Sequence, residues 1–143
     1  MMLARFQHLL VPLDFTNKNQ PALEIAFEIA VQNQARVTLL HVIETLSELE
    51  DRELTAFYDR LAERANRELE SFAQRFQEAK LPVDWKVRYG KRLTEIVDDI
   101  EERAIDLLVM SSHKVSREEP LKGLGSLSYQ VSLLCECPVL MVK

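Results

Sequence analysis

The chain has 143 residues, 47% of them apolar and 29% charged, which suits one domain with an ordinary core and lies far from the disordered class. Three glycines and five prolines exclude collagen-like and linker-like chains, and no stretch lacking Asp, Glu, Lys and Arg approaches the ~20 apolar residues of a membrane-spanning helix. With 18 basic against 23 acidic residues, net −5, the chain is not a general nucleic-acid binder, whose affinity rests on a basic footprint; a small phosphorylated ligand, needing only a few local donors, stays open.

Residues 6–14 (FQHLLVPLD) form an apolar run too short for a helix, so a buried strand is predicted. Pro12 cannot donate to a sheet ladder, which implies that the strand loses a partner there. Residues 16–20 supply capping side chains and Pro21 suits a first helical turn. Leu23, Ala26, Phe27, Ala30 and Val31 then mark an amphipathic helix reaching about Gln34.

Arg36–Ile43 (RVTLLHVI) is a second strand. A long helix is predicted from about Glu48 to Ala79, with Leu54, Phe57, Leu61, Ala65, Leu69, Phe72 and Phe76 as its apolar stripe. Val83–Tyr89 alternates strictly and reads as a strand with one face less well covered, closed by Gly90. Residues 94–104 give a third helix with Ile96, Val97 and Ile100 inward. Residues 106–111 (DLLVMS) give a fourth strand. A loop over residues 113–125, a helix from Ser126 to about Leu134 and a last strand over residues 138–142 complete the chain.

The order βαβαβαβαβ over residues 1–143 means one α/β domain, an open parallel sheet with helices on both faces. Ligands of such sheets bind beyond the C-terminal strand ends, where the strand order reverses. Asp14 ends the first strand, where a carboxylate could accept from a ribose or an amine, or could bond its own turn. Gly123-Leu124-Gly125-Ser126-Leu127-Ser128 opens the last helix, where backbone N–H groups and the Ser126 and Ser128 hydroxyls could meet a phosphate, or where either serine could be a cap. His113 and Lys114 follow the fourth strand and could add positive charge, or simply face solvent.

No Gly-x-Ser-x-Gly elbow is present, and His8, His41 and His113 are scattered. No catalytic nucleophile and no metal site is therefore assigned. Cys135 and Cys137, two apart, read as reduced and structural. Arg5 is followed by no apolar signal core, so a cytoplasmic protein off the membrane is expected. A receiver domain would need an acid after the third strand, where Arg88-Tyr89-Gly90 stands; flavodoxin would need more hydroxyls after the first strand than Phe15-Thr16-Asn17-Lys18-Asn19 offers.

Taken together, Leu10-Val11-Pro12-Leu13-Asp14, Leu39-Leu40-His41-Val42, Asp106-Leu107-Leu108-Val109-Met110, Gly125-Ser126-Leu127-Ser128 and Cys137-Pro138-Val139-Leu140-Met141-Val142 resemble the universal stress protein family along the whole chain. The resemblance implies a Rossmann-like sheet of the adenine nucleotide alpha hydrolase type, in strand order 3-2-1-4-5, and commonly a homodimer. In members that bind ATP or AMP, it implies that Leu13, Asp14 and the Val42 backbone hold the adenosine end. Ser111, His113 and Lys114, then Gly125, Ser126, Leu127 and Ser128, fall at the ribose and phosphates.

Ser111 and Lys114 stand where the family motif has glycines, and ten residues separate Lys114 from Gly125 where the motif has nine. The function implied is a stress-response signalling module sensing ATP or AMP, with at most weak ATPase activity. The alternative is a nucleotide-independent dimer acting on a protein partner through contacts alone. The uncharged strand Val139–Val142 is the edge expected to pair with a second copy, since charges on Val83–Tyr89 resist pairing.

Overall fold

A computed structural model of the chain describes residues 5–45 and 52–143. Five strands alternate with four helices: β1 (His8–Pro12), α1 (Asn19–Asn33), β2 (Arg36–Ile43), α2 (Arg52–Glu78), β3 (Val83–Tyr89), α3 (Arg92–Arg103), β4 (Leu107–Ser111), α4 (Leu127–Leu134) and β5 (Val139–Val142). A 3-10 turn over Pro120–Gly125 leads into α4. The strands form one parallel sheet in the order β3-β2-β1-β4-β5. The expected strand order and layering are therefore present, with element ends moved by a residue or two.

Successive side chains of a strand point to opposite faces, so each central strand feeds two cores. Leu9, Val11, Val37, Leu39 and Val109 pack with Ala22, Ala26 and Ala30 of α1 and with Leu69 and Phe76 of α2. Leu10, Leu40, Leu108 and Met110 pack on the other face with Ile96 and Ile100 of α3 and Val131 of α4. Both faces being covered is why these strands read as unbroken apolar runs. The edge strand β3 is half-buried on both faces from Val83 to Arg88, rather than less well covered on one as its alternation suggested.

Two further expectations need correction. The stripe of α2 is buried only from Ala65 onward; Phe57 is 47% exposed. Residues 48–51, expected to begin this helix, lie outside the described residues. Pro21 does fall in the first turn of α1, but the capping side chains expected over residues 16–20 do not cap it: Lys18 stands at the cap position and gives no side-chain cap.

Pro12 behaves as its chemistry requires. The Gln7 carbonyl and the Leu13 N–H bond β2, whereas the His8 carbonyl accepts from Asp106 beside β4. Even-numbered residues of β1 thus face β4, so the donor that Pro12 lacks is on that side. The β1–β2 ladder runs from His8 to Pro12, but the β1–β4 ladder pairs only Leu9 with Leu107 and Leu10 with Leu108. The two strands part company at the point where the strand order reverses.

Candidate functional site

The parting of β1 and β4 opens a cleft lined by Leu13, Asp14, Asn19, His41, Val42, Arg92, Met110, Ser111, His113, Leu127 and Ser128, among others. Its volume is about 170 Å³. That is below the ~300–1,000 Å³ of pockets that engulf a drug-sized ligand, so a nucleotide would leave part of itself at the mouth.

The turn after β1 is shaped by its own side chains. Asn19, 3% exposed, accepts the N–H groups of Asp14 (2.9 Å) and Phe15 (2.8 Å) on Oδ1. This closes a loop in which Phe15 has φ 68°, a left-handed conformation that costs a non-glycine residue energy. Compensation comes from stacking: the Phe15 ring lies 4.2 Å from the His41 ring. His41 Nδ1 is 2.7 Å from the Leu13 carbonyl, which can only accept, so that nitrogen carries the proton.

Asp14 Oδ1 accepts from both the N–H (2.9 Å) and the hydroxyl (2.7 Å) of Thr16. Burial pushes the Asp14 carboxyl up, but the two Thr16 bonds, the Arg92 charge and Asn19 outweigh it, and the group lies below its usual range. Asp14 is a carboxylate at neutral pH with Oδ2 available to a ligand. Arg92, on the first turn of α3, also lies 3.5 Å from Glu44.

On the opposite wall, Ser111 Oγ accepts from Asn19 Nδ2 and donates to the Lys18 carbonyl, both at 3.1 Å. The Ser112 and Ser128 hydroxyls are 3.0 Å apart. Ser126 is the cap of α4: its Oγ accepts from the Tyr129 N–H and donates to the Gly123 carbonyl. The first-turn N–H groups of Leu127 and Ser128 therefore remain as donors at a helix N-terminus beside the cleft. Gly125 has nothing within 4 Å of where a Cβ would stand, so no neighbour requires glycine there, and the space admits a ligand.

The structure brings Leu13, Asp14, Val42, Ser111, His113, Leu127 and Ser128 to one cleft. Lys114 is exposed and, with Gly125 and Ser126, lies outside the lining. Sequence reasoning missed Asn19, His41 and Arg92. His41 had a signal, standing beside Val42 at a strand end; Arg92 follows the third strand end by three residues. Asn19 gave no signal, because its partners are set by the fold. Among the described residues, no three His, Cys, Asp or Glu side chains are grouped to hold a metal ion, and no helix is long and apolar enough to cross a membrane.

Residues 5–143 match the model of the universal stress protein family. The universal stress protein YxiE of Bacillus subtilis is 28% identical over 148 residues, covering 96% of this chain and 99% of that protein. A universal stress protein solved in complex with cAMP is 20% identical, with a TM-score of 0.75 over 96% of this chain and 97% of that one. A universal stress protein of Archaeoglobus fulgidus solved in complex with dAMP is 16% identical, with a TM-score of 0.68 over 96% and 98%. At these identities the two solved structures speak for the fold.

Proposed function

The chain belongs to the universal stress protein family, and we propose that within it this protein is a stress-response module that senses an adenine nucleotide, AMP or ATP, in the cleft between β1 and β4. The observation that carries the reading is convergence. Asp14, the Val42 strand end and the α4 N-terminus come from three distant parts of the chain and line one opening. An acceptor for a ribose, a backbone edge for a base and N–H donors for a phosphate are what a nucleotide needs. The cAMP and dAMP bound by the two similar proteins support the ligand class. Binding would shift the loop over residues 111–125 and change what a protein partner meets there.

The test is direct. Protein purified without added nucleotide is denatured and its released small molecules are weighed by mass spectrometry, then the emptied protein is titrated calorimetrically with AMP and ATP. Saturable binding of either nucleotide supports the reading; binding of neither overturns it and leaves action through protein contacts.

A second copy is proposed as a partner along β5. Leu140 is 37% exposed on this edge strand, and Leu133 and Leu134 of α4 stand exposed nearby in sequence. Two copies related by a two-fold axis would pair these edges antiparallel and cover that surface. Sedimentation equilibrium at micromolar concentration should give twice 16.6 kDa. Leu140→Pro should halve it, and a dimer that survives this change would overturn the interface.

A further inference from the structure

Lys18, beside the cleft-lining His113, is a cation with no ion pair among the described residues. Lys18 Nζ lies 2.7 Å from His113 Nδ1. An ammonium only donates, so Nδ1 is the acceptor and the His113 ring is neutral with its proton on Nε2. Arg92 pairs with Glu44, and Lys122 on the loop pairs with Glu119. Lys18 has no carboxylate within ion-pair distance among the described residues. A full charge is thus held against a neutral ring that itself lines the cleft.

The position of Lys18 is fixed from below. Its carbonyl accepts the Ser111 hydroxyl, and the same hydroxyl accepts from the buried Asn19. These bonds tie the start of α1 to the end of β4 across the gap where the strand ladder stops. Ser111 replaces the glycine that the family motif carries, and its side chain makes the tie. An arrangement built this way presents an ammonium to whatever emerges from the cleft mouth.

We propose that Lys18, held by His113, is the side-chain contact for the first phosphate of the bound nucleotide, beside the N–H groups that open α4, and raises its preference for phosphorylated over unphosphorylated nucleoside. This rests on the nucleotide reading above. The ammonium would exchange the neutral imidazole for a phosphate oxygen, because a bond between two ions is the stronger one.

The experiment is calorimetric titration of wild type, Lys18→Ala and Lys18→Arg with adenosine and with AMP. Wild type is expected to bind AMP more than tenfold more tightly than adenosine, Lys18 adding about tenfold, the scale of one charge-assisted bond, to what the N–H groups of α4 contribute. Lys18→Ala is expected to leave adenosine affinity unchanged and lower AMP affinity about tenfold, and Lys18→Arg to restore it. Equal affinity of wild type for both ligands overturns the assignment alone. So does a Lys18→Ala protein that keeps the full preference, or that loses adenosine and AMP by the same factor. Failure of wild type to bind either ligand overturns the nucleotide reading itself, and this assignment with it.

Discussion

The polar groups packed against the C-terminal half of α3 are closed on one another, whereas those near its N-terminal end are open. Arg88 of β3 reaches Glu95 (3.2 Å), Asp99 (3.1 Å) and Glu102 (2.9 Å). Arg103 joins Asp99 (3.2 Å) to Asp84 (2.9 Å). Asp84 then accepts the Thr38 hydroxyl, which accepts from His8 Nε2. Asp99 is fully buried, with only Oδ2 lacking a partner among the described residues. At the cleft, Asp14 uses one oxygen, Lys18 has no carboxylate, and Arg92 and Glu44 are both half-exposed. The difference teaches where to look for ligand chemistry. Buried charges must neutralise one another to be tolerated, so the network serves the fold, while uncommitted charges at the sheet's open end remain available.

The comparison breaks most sharply at Arg88. Replacing it by Met leaves the buried Asp99 with Arg103 alone, and removing one partner of a buried pair costs about 3–5 kcal/mol. Urea unfolding should show that loss, while the AMP affinity of the folded protein stays as it was. A loss under about 1 kcal/mol would place the network with ordinary surface pairs.

Asp14→Ala should do the reverse. It removes a charge-assisted bond worth ~1.5–3 kcal/mol, a tenfold to hundredfold drop in nucleotide affinity. Calorimetric titration checks it, and equal affinity of wild type and variant would strip Asp14 of its role. Ser126→Ala lies between the two regions in kind. Its hydroxyl is committed to capping α4, so a stability loss of ~1 kcal/mol in thermal melts is expected.

The smallest effect is the pH response of His8. Burial pushes its pKa down, Asp84 and Asp106 pull it up, Arg36 and Arg103 push it down, and the net is below the usual value. The unfolded chain therefore binds the proton first as pH falls. His8 contributes stability above its usual pKa of about 6.5, and that contribution drains as pH drops toward the folded value. Melting at pH 7.5 and 5.5 should show a difference that His8→Gln reduces.

Legibility in the sequence followed the range of the interactions. Arg36–Ile43 and Val83–Tyr89 were readable to the residue, because apolar runs and alternation are local signals. Asp14 and Val42 were readable as strand ends. The ties from Asn19 to Ser111 and from Lys18 to His113 join residues 92 and 95 positions apart, and no local pattern announces them. That α2 buries Ala65, Leu69, Ala73 and Phe76 but leaves Phe57 exposed is likewise a fact of packing, invisible in a stripe that looks uniform.

The most direct test of the division between an open site and a closed scaffold is to follow backbone amide chemical shifts during titration with AMP. Saturable shifts are expected in residues 13–19, 41–44, 111–114 and 123–128, with Asp84, Arg88 and Asp99 unmoved. Shifts centred on the Arg88 network, or none that saturate, would contradict it.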